Sequence, residues 1–263
     1  MSSESSDTPD SLRPDANRTQ PTAAVLLIGN ELLSGRTQDS NLAYIAKALV
    51  ARGIRLQEAR VIADVPDAII SAVNELRRST TYLFTTGGIG PTHDDITAEC
   101  IASAFGVELP VNAEAEAILL DYFKARDIEP NADRLRMARI PEGAALVDNP
   151  VSAAPGFRMD NVFVFAGVPR IMQSMLDSVL PQLASGLVMH SVSVSCNLGE
   201  GTVASAFREL QARYPSTELG SYPGKDGKLS QLSLVARGPD PDELQELRLA
   251  LVSMITDLGG QVL

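Results

Sequence analysis

Three glycines within four positions, Gly87, Gly88 and Gly90, follow the threonines Thr85 and Thr86 and precede Pro91, Thr92, His93 and the adjacent aspartates Asp94 and Asp95. Glycine tolerates positive φ and lets backbone approach a ligand closely, so successive N–H groups in such a loop can converge on an anion. The run Tyr82–Thr85 before the loop reads as a strand, and the stretch from about Asp95 to Phe105 reads as a helix. A helix start adds unpaired N–H groups and the positive end of the peptide dipole at the same point. The chemistry expected here is phosphate binding, with Thr86, Gly87, Gly88, Gly90, Pro91, Thr92 and Thr97 as candidate contacts. The loop is neither a Walker A sequence, which needs Gly-Lys-Ser/Thr, nor the Gly-x-Gly-x-x-Gly of dinucleotide folds. A tight turn that needs glycine for packing alone is the competing reading.

Two carboxylates beside a phosphate site would repel the ligand unless a cation sits between them. Mg²⁺, Mn²⁺ or Co²⁺ held by Asp94, Asp95 and the ligand's phosphates resolves that conflict. One of the pair could instead cap the helix. The first strand ends in Gly29-Asn30-Glu31-Leu32-Leu33-Ser34-Gly35, which parallel pairing would bring to the same sheet edge. Glu31 is therefore a third candidate metal ligand, or a general base, and Asp64, after the second strand, shares the edge placement. Catalytic candidates are Asp95, Asp94, Glu31 and Asp64. Ser40 and Asn41 could cap a helix or touch ligand. His93 is a weak candidate for phosphate contact, and nothing supports a Ser/His/Asp triad.

The elements needed to position these residues alternate. Ala23–Ile28 is a continuous apolar run, as a buried parallel strand would be. Asn41–Arg52 has helical spacing and stops at Gly53; Ile54–Ile62 reads as a strand, and Pro66 opens another helix. After the loop and its helix come a helical stretch, about Ala113–Arg126, and a looser segment through Pro150. Strand Val162–Phe165 and helix Pro169–Leu180 complete the pattern. It implies a mostly parallel sheet in a three-layer α/β/α domain over residues 22–186. Residues 187–263 read as a small α+β unit: strand Met189–Cys196, helix Thr202–Arg213, strands Glu218–Tyr222 and Leu229–Val235, and helix Pro241–Leu258. Residues 1–21, rich in Ser, Asp, Pro, Asn and Thr, read as a disordered tail.

Composition narrows the function classes. The net charge of −11 over 263 residues disfavours nucleic acid as a partner, since that affinity depends on basic surface. An anionic ligand must then be held by backbone amides, a few local cations or a metal. Two histidines, His93 and His190, are too few for a His-rich zinc site, and Cys100 and Cys196 suggest no disulfide framework. Apolar runs fall well short of the roughly 20 residues of a membrane helix, and no signal segment opens the chain, so a cytoplasmic protein is expected.

Several segments together carry a family resemblance. Gly29–Gly35, Asp39-Ser40-Asn41, Thr85–Thr92 with Asp94-Asp95-Ile96-Thr97, Ala154-Pro155-Gly156-Phe157 and Gly167-Val168-Pro169 resemble the molybdopterin-binding-like domain of the CinA (competence- and damage-inducible protein A) family. Thr37-Gln38-Asp39, the glycine loop and Leu219-Gly220-Ser221-Tyr222-Pro223 are also similar to eukaryotic FAD synthases. The resemblance implies a three-layer fold and a phosphorylated nucleotide or pterin ligand touching Gly29, Asn30, Asn41, Gly167 and Pro169 as well as the loop. It implies that Asp95, and less directly Asp64, are essential. It further implies metal-dependent cleavage of a dinucleotide pyrophosphate such as ADP-ribose or FAD. Molybdopterin binding or adenylylation, or a non-catalytic nucleotide-binding module, are the alternatives. A homo-oligomer, dimer or trimer, is expected by analogy. Asn30 stands where Gly-Asp-Glu is usual and removes one potential metal ligand. Arg170-Ile171-Met172 likewise stands where many members have an acidic residue before Met. The amidohydrolase domain of CinA and the nucleotidyltransferase domain of FAD synthase are not matched, so neither activity is expected.

Overall fold

A computed structural model describes residues 20–223 and 231–263. The tail reading falls almost wholly on residues 1–19 and most of the Pro223–Lys228 loop on 224–230, both outside the described residues. The chain divides into two compact units, Met1–Gly186 and Leu187–Leu263.

In the first unit the elements run β1 (Thr22–Ile28), α1 (Asn30–Leu33), α2 (Asn41–Ala51), β2 (Arg55–Ile62), α3 (Pro66–Ser79), β3 (Tyr82–Thr86), α4 (Thr97–Phe105), α5 (Ala113–Lys124) and α6 (Ala132–Leu135). A 3-10 turn, Arg136–Ala138, then leads to β4 (Ala145–Val147), β5 (Gly156–Met159), β6 (Val162–Phe165) and α7 (Pro169–Val179). The sheet order is β2-β1-β3-β6-β5-β4, with β2, β1, β3 and β6 parallel and β5 and β4 antiparallel at one edge. The fold is thus a three-layer, mostly parallel α/β domain.

β1 shows why its run has no polar alternation. Ala24, Leu26 and Ile28 pack on one face with Ile69, Val73 and Leu76 of α3 and Ile101 of α4. Ala23, Val25 and Leu27 pack on the other with Ile45 and Leu49 of α2 and Met172, Met175 and Leu176 of α7. The second face carries stacked aromatics from two adjacent strands: Phe84 lies 5.3 Å from Phe163 and 6.0 Å from Phe165, centroid to centroid. Burying such a ring contributes roughly 2–3 kcal/mol, so this layer anchors β3 and β6 side by side.

Three segments differ most from the sequence reading. The segment through Pro150 is not uniformly loose: it holds α6, the 3-10 turn and β4, and β4 and β5 extend the sheet as an antiparallel edge. Strands of three and four residues carry too little periodicity to stand out. Helix α4 begins at Thr97 rather than near Asp95, because the Asp95 carboxylate is engaged in the preceding loop. The strand read at Leu229–Val235 lies at Leu232–Gly238.

The second unit comprises β7 (His190–Cys196), α8 (Glu200–Arg213), β8 (Glu218–Pro223), β9 (Leu232–Gly238) and α9 (Pro241–Asp257). Its antiparallel sheet has the order β7-β9-β8. The core joins Val194, Leu234 and Ala236 of the sheet to Val203 and Leu210 of α8 and Leu247 and Leu251 of α9. Asp240 caps α9 by accepting from the amides of Asp242 and Glu243. Among the described residues no helix is long and apolar enough to cross a membrane.

Candidate functional site

Parallel pairing sets the ends of β1, β3 and β6 together, with Leu27 opposite Thr86 and Thr86 opposite Phe165. Gly29, Gly87 and Gly167, one or two residues further on, therefore meet along one edge, where open α/β sheets place their ligands. The Gly87 amide donates to the Phe165 carbonyl at 3.1 Å, and the Gly29 amide to the Ile62 carbonyl at 3.1 Å. A Cβ on Gly167 would come within 3.3 Å of the Gly87 α carbon. Gly87 itself requires glycine, since its φ is +102° and a Cβ there would run into the Ile28 carbonyl oxygen.

The loop is held from inside by Thr97 and Asp95. The Thr97 hydroxyl donates to the Gly87 carbonyl at 2.9 Å and its amide to the Gly88 carbonyl at 2.9 Å. One Asp95 carboxylate oxygen accepts from the Thr92 amide at 2.8 Å and the Thr92 hydroxyl at 2.6 Å, closing the turn around Pro91–Asp94. Charge-assisted bonds of this length are about twice as strong as neutral ones. The amides of Gly88, Ile89 and Gly90 have no acceptor among the described residues. Asp94 is fully exposed, and the Thr92 hydroxyl and its own backbone amide hold its carboxyl below the ordinary value. That hydroxyl has a single proton, and the 2.6 Å bond directs it to Asp95, so its support of Asp94 is partial.

The other sequence candidates take distinct places. Asp64 accepts from the Asn30 amide at 2.8 Å and so fixes the turn after β1. The Glu31 carboxylate folds back over Gly29, where a Cβ would collide with it. Asp39, not Ser40, caps α2 by accepting from the amides of Asn41 and Leu42. Asn41 is 5% exposed; its side-chain amide donates to the Gly167 carbonyl at 2.8 Å, while its side-chain oxygen is buried without a partner. Pro169 opens α7 and is exposed, as are Asn30, Pro91 and His93.

The expected cation site is not assembled. Among the described residues no group of three His, Cys, Asp or Glu side chains could hold a metal ion. Asp95 is bound to Thr92 and the Glu31 carboxylate lies against Gly29, and the two are not gathered with Asp94 into one cluster.

Positive charge comes instead from residues the sequence reading passed over. A small cleft is lined by Gly88, Ile89, Gly90 and Asp95 together with Glu99, Arg136 and Arg139, beside Ile140 and Phe157. Arg136 donates to the carbonyls of Thr92 at 3.1 Å and Asp95 at 3.3 Å, bracing the loop from outside. Glu99 accepts from Arg139 at 2.8 Å and from Arg136 at 3.3 Å. Two arginines three residues apart in an acidic chain were the available signal, but nothing local linked them to a loop about forty residues earlier.

Comparison with known proteins agrees with this geometry. Residues 24–185 match the family described as "Probable molybdopterin binding domain", and residues 188–259 match "FAD synthase, middle domain". A protein of Pyrobaculum calidifontis is 32% identical over 250 residues, covering 90% of this chain and 95% of the relative. A CinA-like protein of Desulfosudis oleivorans is 34% identical over 75% of this chain, which spans 51% of that longer relative. The crystal structure of the protein CinA with unknown function from Thermoplasma acidophilum superposes with a TM-score of 0.57 at 31% identity, over 62% of this chain and 97% of that one. With the family match covering the glycine loop, the Gly29 turn and the Gly167 turn alike, the chain belongs to the CinA-like, probable molybdopterin-binding domain family.

Proposed function

We propose that the first unit binds a small phosphorylated pterin of the molybdopterin class at the shared edge of β1, β3 and β6. The amides of Gly88, Ile89 and Gly90, left without a protein acceptor beside a cleft that carries two arginines, are the observation that supports it. A phosphate there would take the donors the fold leaves free. Thr97 and Asp95 keep those donors turned outward, Asp64 steadies Gly29–Asn30, and the free Asn41 oxygen offers an acceptor beside Gly167. Calorimetry with molybdopterin against FAD and ADP-ribose tests the reading: tighter binding of the pterin, without turnover, is expected, and no binding would defeat it.

A second reading rests on the match of residues 188–259 to the middle domain of FAD synthase. Here the ligand is a dinucleotide pyrophosphate such as FAD or ADP-ribose, hydrolysed with an added divalent cation. Incubation with either compound plus Mg²⁺, Mn²⁺ or Co²⁺ should then give turnover that Asp95→Ala abolishes. An Asn30→Asp variant that gains turnover where the natural protein has none would mark this chain as a binding module. A homo-oligomer, dimer or trimer, belongs to the same proposal and is read by light scattering of the purified protein.

A further inference from the structure

We infer that Glu99 is a resident anion on Arg139, a carboxylate that occupies the ligand's place until a phosphate displaces it. The inference rests on the proposed phosphate site and names how that site is regulated. Four charged side chains line the cleft beside Gly88–Gly90, and they are not equivalent. Arg136 is fixed, because it also braces the carbonyls of Thr92 and Asp95. Arg139 has Glu99 as its hydrogen-bond partner among the described residues, at 2.8 Å, and the pair is about one-third exposed. Asp95, the other carboxylate on the cleft, is already bound to Thr92 and does not compete for either arginine.

An ion pair this open to water contributes little, so exchanging one anion for another across it is easy. Glu99 holds Arg139 through one oxygen, which it shares with Arg136, whereas a phosphate in the cleft could take Arg139 with two, the bidentate geometry that guanidinium favours. The chain's net charge of −11 works against an anion at a distance. Screening within roughly 8 Å at physiological salt leaves the nearby arginines to decide binding. The exchange also explains why an acidic protein keeps an arginine pair beside this loop and a carboxylate on top of it.

The test is calorimetry of inorganic pyrophosphate and of molybdopterin against the natural protein, Glu99→Gln, Arg139→Gln and the double variant. Glu99→Gln should tighten pyrophosphate about fivefold to tenfold while thermal stability stays equal or falls. Arg139→Gln should weaken it by at least as much, and the double variant should match Arg139→Gln alone. A purely structural Glu99 predicts the opposite sign, so weaker or unchanged binding in a folded Glu99→Gln overturns the inference. Should Glu99→Gln fail to fold, Glu99→Asp, which withdraws the carboxylate by one methylene, must still tighten binding. Molybdopterin failing to bind any variant while Glu99→Gln tightens pyrophosphate would overturn the proposed pterin ligand only. Molybdopterin binding equally to the natural protein and Glu99→Gln would overturn the resident anion only.

Discussion

Asp95 shows what one carboxylate contributes to the loop by itself. Its position after the glycine loop suggested a metal ligand, yet its carboxylate closes the turn on Thr92. Asp95→Asn should therefore weaken ligand binding at least tenfold by loosening the loop, and cost roughly 1–2 kcal/mol of stability for the lost charged hydrogen bonds. Paired binding isotherms and urea melts separate the two effects. Gly87 makes the sharper prediction. Alanine there must hold a φ of +102° and clash with the Ile28 carbonyl, so Gly87→Ala should destabilise the protein by about 2 kcal/mol or more. Urea unfolding checks it, and a variant as stable as the natural protein would show that the loop relaxes freely.

Helix α4 connects the loop to the core. Its outer side presents Glu99 to the arginines, and its inner side buries Cys100, which is 2% exposed beneath α3. Burial, with a smaller contribution from Glu99, raises the Cys100 thiol from 9.0 to about 11. A raised acid stabilises the fold fully below the unfolded value and loses that contribution as pH climbs through the folded one, so stability should decline between pH 9 and 11. Cys100→Ser should flatten that decline in melts run across the interval. The native thiol should also resist aromatic disulfide reagents at pH 8 until denaturant is added. Strand β1 and helices α2, α3 and α7 followed from apolar spacing because each buries a full stripe or face. The edge pair β4–β5 did not, because short strands depend on their neighbours for hydrogen bonds and leave almost no pattern of their own.

On the scale of the whole chain, each unit has a core of its own: two apolar layers around the six-stranded sheet in one, and a sheet backed by α8 and α9 in the other. Cores that close within a unit let it fold alone. A chain ending after Gly186 should then unfold cooperatively and retain the ligand affinity of the full protein within about threefold, since every residue placed at the site lies before that cut. Calorimetric binding and a single thermal transition are the readouts. Loss of the cooperative transition would show that residues 187–263 complete the first fold.

Local rules carried the reading a long way. Apolar periodicity marked the central strands and the helices covering them, and three glycines marked the turn between β3 and α4, because both depend on residues adjacent in the chain. What Asp94, Asp95 and Glu31 would do once assembled was beyond those rules. The Asp95 carboxylate found its partner in the amide and hydroxyl of Thr92, three residues away in the chain. The cations that answer the chain's acidity came from Arg136 and Arg139, brought to the loop by the packing of a short helical turn against α4. Spacing reveals which residues share an element; which charge faces which across forty residues is decided by how the elements pack.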